Sequence, residues 1–431
     1  MKSVSIASSR ALSGTGKPTV LAHFARRAVL SRLAALEVGR LVITDGHHDR
    51  VFGESSSRAA LSAHITVHDQ RFYSDVAFGG SIGAGEAYMH GHWSCDDLTQ
   101  VMRLFLQNRD VLNGIEAGTG RFTEPLHKLF HWINWNTRRG SERNIAAHYD
   151  LGNEFFRLWL DESMMYSAAV YEGPNMTLEE ASRAKLDRIC RKLELCPDDH
   201  VMEIGTGWGG FAVHAAREYG CRVTTTTISK KQHEYASQLV AEAGLTDKVT
   251  LLRKDYRELQ GQFSKLVSIE MIEAIGHRFL DTYFHQCSRL LRPEGLMLLQ
   301  AITIAEQHYE RARRSVDFIQ RYIFPGGSLH SLKRMLESVA RVTDMRLYHL
   351  EEIGPHYART LRDWRDRLSE KLAQVRRLGY PEEFIRMWEF YFCYCEGGFI
   401  ERDIGDAQIL LGRPASRRPA IEFRQFELRS A

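Results

Sequence analysis

Glu203, Gly205, Gly207, Gly209 and Gly210 fall in one short stretch, V-M-E-I-G-T-G-W-G-G-F. An apolar run followed by so many glycines reads as a strand ending in a turn whose bare backbone meets a ligand. The glycines satisfy G-x-G-x-x-G, a weak pattern alone. NAD binding would want an acid closing the next strand, but C-R-V-T-T-T-T-I-S (Cys221–Ser229) offers none. A phosphate loop would want G-K-[ST], and here G-F-A follows. Glu203, at the end of the strand, suits the ammonium of an amino-acid ligand, although helix-dipole placement alone would also favour an acid there. Asp255, in R-K-D-Y-R after the third strand, suits an adenine amino group beside Tyr256. The combination points to S-adenosylmethionine (SAM) and a methyltransferase.

The elements that must position these residues alternate. Strands are expected at 201–204, 222–227, 249–252, 266–269 and 296–302, with helices between them. One helix begins at Thr177, where T-L-E-E sets up a capping box with Glu180. Its apolar stripe is Leu186, Ile189, Cys190 and Leu193. This predicts an α/β fold with a parallel, doubly wound, Rossmann-like sheet. A smaller α+β domain precedes it, with strands at 41–43 and 63–67 and a helix over 97–108. Its glycine-rich stretch, Gly79–Trp93, is read as turns. The expected division is a mobile tail over 1–20, a first domain over 21–135, a polar linker over 136–146 and a catalytic domain over 147–431.

The 431 residues carry a net charge of +3, which argues against bulk nucleic-acid binding. The seven cysteines form no C-x-x-C pair, so neither a zinc nor a disulfide framework is expected, and Cys393 and Cys395 read as buried helix residues. No metal site is expected. No apolar run is long enough to span a bilayer and the start lacks a signal-peptide core, which reads as cytoplasmic.

Several stretches together resemble the cyclopropane-fatty-acid synthase family: A-H-Y-D-L-G-N-E-F-F (147–156), M-M-Y-S-A-A-V-Y (164–171), E-I-G-T-G-W-G-G (203–210), T-I-S-K-K-Q (227–232), D-Y-R (255–257), S-I-E-M-I-E-A-I-G (268–276), Y-I-F-P-G-G (322–327) and H-Y-A-R-T-L (356–361). The first domain, through G-S-I-G-A-G-E-A-Y-M, is similar to the family's lipid-binding amino-terminal domain, which favours a phospholipid acyl chain over a mycolate. The resemblance implies a class I SAM methyltransferase that adds a methyl carbon to the double bond of an unsaturated phospholipid chain, giving a cyclopropane. Alternatives are a methyl-branched unsaturated product, a small-molecule methyltransferase on the same scaffold and a non-catalytic lipid-binding protein.

It further implies Tyr166 and Ser167 near the methyl donor, the turn with Glu203, Gly205, Gly207 and Gly209, Thr227 and Gln232 near the ribose, and Asp255 with Tyr256 at the adenine. The family's base is a bound bicarbonate held by a Cys, a Glu, a His, an Ile backbone group and a Tyr. Glu273, Ile302 and Tyr357 match, whereas the Cys position is Ala168 and the His position is Gln300. Glutamine donates a hydrogen bond but moves no proton, so Glu273 becomes a candidate base in its own right. Tyr166, Tyr309, Tyr322, Phe324 and Tyr357 are candidates for stabilising a cation. Homodimerisation and peripheral contact with the inner face of a membrane are implied, and the basic stretches 311–322 and 361–380 are candidate contacts, against the commoner meaning of a solvated helix face.

Overall fold

The structure, a computed structural model, describes residues 20–53, 61–111 and 152–418. The tail up to residue 19, the expected linker and the first five residues of A-H-Y-D-L-G-N-E-F-F lie outside these residues.

The first part of the chain runs α1 (Val20–Leu33), β1 (Arg40–Asp45), β2 (His48–Phe52), β3 (Ser62–Val67), α2 (Arg71–Met89), β4 (Trp93–Cys95) and α3 (Leu98–Gln107). Its sheet has the order β2-β1-β3-β4, with β1 and β3 parallel and the other pairs antiparallel. Leu41 and Ile43, and Ala63, Ile65 and Val67, alternate into the core as period-two strands should. Asp97 caps α3 by accepting from the Gln100 N–H at 3.0 Å. The Gly79–Trp93 expectation is corrected: most of that stretch is helix α2, kinked at Gly80 (φ 57°, ψ −136°). Packing explains glycine there as much as turning does, since a Cβ on Gly85 would lie 2.5 Å from the Phe318 ring.

The second part runs α4 (Asn153–Phe156), α5 (Leu178–Leu193), β5 (His200–Ile204), α6 (Gly210–Glu218), β6 (Arg222–Thr226), α7 (Lys230–Glu242), β7 (Val249–Leu252), β8 (Phe263–Ile269), α8 (Leu280–Leu290), β9 (Leu291–Ile304), α9 (Glu306–Ala312), α10 (Phe318–Tyr322), α11 (Leu332–Val342), β10 (Arg346–Glu352), α12 (Gly354–Glu370), α13 (Leu372–Arg377), α14 (Glu382–Ile400) and β11 (Ile404–Gly412). The capping box of Thr177 and Glu180 is present, and Leu186, Ile189, Cys190 and Leu193 are all buried. The sheet order is β10-β11-β9-β8-β5-β6-β7. Its β9-β8-β5-β6-β7 portion is parallel, as expected, and β11 and β10 extend it antiparallel. Those two strands escape the periodicity reading for different reasons. β10 is a largely exposed edge strand, and β11 buries Asp406 and Gln408 in mid-strand.

The two parts share one aromatic core in which Trp159, Trp364 and Trp388 are wholly buried. Glu396 of α14, 1% exposed, accepts from Arg365 Nη1 (2.6 Å) and Arg362 Nε (2.9 Å) of α12 and from Thr99 Oγ1 (2.9 Å) of α3. Within the basic stretch 361–380, Arg362 and Arg365 are thus spent on the buried Glu396 and Arg367 bonds Glu179, while Arg376 and Glu382 pair on the surface. The stretch 311–322 is two short helices rather than one, with Arg313 and Arg314 on Glu310 and Arg321 on Glu86. Among the described residues no helix is long and apolar enough to cross a membrane.

Removing one partner of a buried ionic cluster strands the others. Glu396→Ala is therefore expected to cost about 3 kcal/mol, read as a lower urea midpoint than that of the unaltered protein.

Candidate functional site

The turn after β5 opens onto a cavity of about 1020 Å³. Gly205 takes φ 106° and Gly207 φ 52°, both in the left-handed region where side chains are strained. Gly205, Thr206, Gly207 and Trp208 line the cavity, as do Tyr166, Ser167, Thr227, Gln232, Asp255 and Tyr256. Gly209 does not: it precedes α6 as its N-cap, and a Cβ there would meet Ala236 at 3.2 Å. Of the aromatic candidates, Tyr166, Phe324 and Tyr357 line the cavity. Tyr309 and Tyr322 are turned away, one against His277 and the other bonded to Glu86. Unforeseen aromatics from α14 take their place, with Phe399 stacked on Tyr357 at 4.5 Å between centroids.

The cofactor end suits a cationic amino-acid ligand. Glu203 is 2% exposed and its Oε2 has no hydrogen-bond partner. Burial pushes its carboxyl up to about 8, against a hydrogen bond with Thr225 and the charge of Lys185. An ammonium beside it would restore the ionised form. Thr227 donates to Gln232 Oε1 at 2.8 Å. Tyr256 is buried, with its hydroxyl unpartnered. The Asp255 carboxylate is held by Arg257 at 2.6 and 2.7 Å, so only its remaining lone pairs face a ligand.

At the centre, three of the residues matched to the bicarbonate site, Ala168, Gln300 and Tyr357, converge on Glu270, a side chain outside the expected set. Glu270 Oε1 accepts from the Ala168 N–H and from Gln300 Nε2, both at 2.8 Å, and its Oε2 accepts from the Tyr357 hydroxyl at 2.7 Å. Ala168 and Gln300 are wholly buried and do not line the cavity; they hold Glu270, which does. Glu273 stands beside it, with Oε1 accepting from the Ile302 N–H at 2.6 Å and Oε2 unpartnered. Burial and the Glu270 charge push Glu273 up to about 8.

A polar chain fixes the Gln300 amide. Lys192 can only donate, and it gives a hydrogen bond to Gln408 Oε1 at 2.6 Å. Gln408 Nε2 must then donate to Gln300 Oε1, at 3.1 Å. This leaves Gln300 Nε2 to serve both Glu270 and Asp406 Oδ2, the latter at 3.0 Å. Asp406 is wholly buried; burial and then the charges of Glu270 and Glu273 raise its carboxyl well above the usual range. Lys185, also wholly buried, donates to Ser167 Oγ at 2.8 Å and lies in the field of Glu270, Asp406 and Glu203. Lys185, Lys192, Asp406 and Gln408 left no mark in the motif reading. A lysine within the apolar stripe of α5 and two polar residues within an apolar strand were the available signals.

Because an ammonium ligand wants Glu203 ionised and its folded-state value is about 8, affinity should rise with pH through that value. In calorimetric titrations Glu203→Gln is expected to bind SAM about ten- to a hundredfold more weakly and to lack the part of the pH dependence that belongs to this carboxyl.

Residues 136–409 match the mycolic acid cyclopropane synthetase family. The chain is 37% identical to tuberculostearic acid methyltransferase UfaA1 of Mycobacterium tuberculosis over 74% of its own length and 76% of that protein. It is 35% identical to the cyclopropane-fatty-acyl-phospholipid synthase of Escherichia coli K12 over 86% of its length and 95% of that protein. The crystal structure of mycolic acid cyclopropane synthase CmaA1 with SAH and CTAB superposes with a TM-score of 0.58 at 31% identity, covering 63% of this chain and 98% of that one. With a SAM-fitting turn and a carboxylate cluster in one cavity, the chain belongs to the mycolic acid cyclopropane synthetase family of SAM-dependent methyltransferases.

Proposed function

We propose that the protein transfers a methyl carbon from SAM to the double bond of an unsaturated fatty-acyl chain of a membrane phospholipid, giving a cyclopropane chain. The observation that carries this is the continuity of the cavity. It runs from the Glu203–Trp208 turn past Glu270, Glu273 and Tyr357 to Val29, Leu33, Ile43, Ile65 and Phe72 of the first domain. A long apolar substrate suits such a lining, with the acids at the reacting position.

Glu203, the glycine turn, Thr227, Gln232, Asp255 and Tyr256 would hold SAM, which would supply an activated methyl there. The chain's residues do the rest. Apolar and aromatic side chains exclude the water that would hydrate a carbocation. The faces of Tyr166, Phe324 and Tyr357 favour positive charge. The acid cluster removes a proton. A methyl-branched unsaturated product is the second reading, favoured by the replacement of the family's Cys and His by Ala168 and Gln300. Mass spectrometry and NMR of fatty acids from monounsaturated phospholipid vesicles incubated with methyl-labelled SAM decide between them. A cyclopropane ring is expected, a methyl branch that keeps the double bond would establish the second reading, and no label in lipid would sink both.

Peripheral membrane contact is part of the proposal, and two exposed rings support it. Phe24 of α1 is 70% exposed and Phe78 of α2 is 50% exposed. Their helices also supply Val29, Leu33, Val76 and Gly79 to the cavity wall. Phe24→Ser/Phe78→Ser is expected to reduce co-sedimentation with anionic vesicles several-fold while leaving SAM affinity unchanged. Undiminished co-sedimentation would remove these rings from the contact.

A further inference from the structure

Glu270 sits at φ 46°, a left-handed conformation that glycine adopts freely and a glutamate adopts under strain. In that conformation its carboxylate takes up the Ala168 N–H, the Gln300 amide and the Tyr357 hydroxyl. Without that carboxylate these buried donors would be left unpartnered, a set that suits an anion. From this geometry we infer that Glu270 is the catalytic base and fills the place of a bicarbonate, so that the enzyme needs no exogenous anion. The inference rests on the proposed alkene methylation and deepens it.

Three carboxyls share this site, and they cannot all be ionised. The groups facing Glu270 are Glu273, Asp406 of β11, Lys185 of α5 and Tyr357 of α12. Burial raises Glu270 too, but the Ala168 N–H, Tyr357, Lys185 and Gln300 all favour its charged form. Glu273 takes backbone donors from Ile302 and from its own N–H, and Asp406 takes the Gln300 amide and shares a further hydrogen bond with Glu270, each beside the Glu270 charge. The three donors on Glu270 from the backbone, Gln300 and Tyr357 favour the negative charge there over Glu273 and Asp406.

Glu270 Oε1 accepts from Ala168 and Gln300 and its Oε2 from Tyr357, and the Asp406 carboxyl also hydrogen-bonds this side chain. Oε2, with the fewer donors from outside the acid cluster, is the atom assigned to take the proton. In the reaction the alkene π pair becomes the new C–C bond, the S–C pair stays with the departing sulfur, and the second alkene carbon becomes cationic. Glu270 Oε2 then takes a proton. If the proton comes from the added methyl, the C–H pair closes the three-membered ring. If it comes from the adjoining chain carbon, the pair becomes a new double bond.

The test removes the carboxylate and asks whether an anion can replace it. Unaltered protein should methylate monounsaturated phospholipid vesicles at the same rate in bicarbonate-depleted and bicarbonate-containing buffer. Glu270→Gly should lose about a hundredfold or more in rate without bicarbonate and recover at least tenfold when bicarbonate is added. Glu270→Gln, which keeps the side chain in place, should bind SAM normally by calorimetry and stay inactive with or without bicarbonate. In a separate readout, ¹³C-bicarbonate NMR should show line broadening with Glu270→Gly and none with the unaltered protein. A bicarbonate requirement or bicarbonate binding in the unaltered protein would overturn the inference, as would a Glu270→Gln variant with more than a tenth of the normal rate. The NMR readout needs no turnover, so it separates failure of this inference from failure of the proposed reaction.

Discussion

A buried lysine that can only donate sets the direction of the amide chain that leads to Glu270. From Lys192 the chain passes through Gln408 to Gln300, and each amide is forced to present its nitrogen onward. Its end is the carboxylate of Glu270, held also by the backbone before β5 and by a tyrosine of α12. The same network explains why β11 carries Asp406 and Gln408 at wholly buried positions. An apolar β11 would pack as well, but Gln300 would lose its orientation and an unpaired buried amide is costly.

That polar chain lies at the junction of two kinds of interior. On one side, the sheet and its glycine turn present Glu203 and bare backbone to the cofactor end. On the other, α14 and the first domain present rings and aliphatic side chains. Glu396 ties α14 to α12 and α3, so the helix that supplies Phe399 against Tyr357 is fixed to both parts of the molecule. The first part of the molecule supplies apolar wall to the cavity in which Glu270 and Glu273 lie.

Charge in such a space is rationed by burial. Glu203, Glu273 and Asp406 are all pushed toward their neutral forms, and Lys185 is pushed down to about 8. Burial pushes Glu270 the same way, but it takes three hydrogen bonds to its charged form, from the Ala168 N–H, Gln300 and Tyr357. The basic helices show the opposite economy: many of their arginines are paired with glutamates inside the fold or along its surface, which weakens the reading of those stretches as a membrane-facing surface.

Local physics was legible in the sequence. A strand ending in glycines, a capping box at Thr177 and an apolar stripe at helical spacing are each decided by neighbours a few residues apart, and the five parallel strands followed. Family resemblance identified Glu273, Ile302, Tyr357, Ala168 and Gln300 as positions that belong together. The meaning of that assembly came only from the tertiary structure. Glu270 and Ala168 are 102 residues apart, and Gln300 and Asp406 are 106 apart. No local periodicity links such positions. Nor could composition show that Tyr309 and Tyr322 turn away while α14 supplies the rings. A hydrogen bond depends on where two atoms lie in space, and here folding alone brings donor and acceptor together.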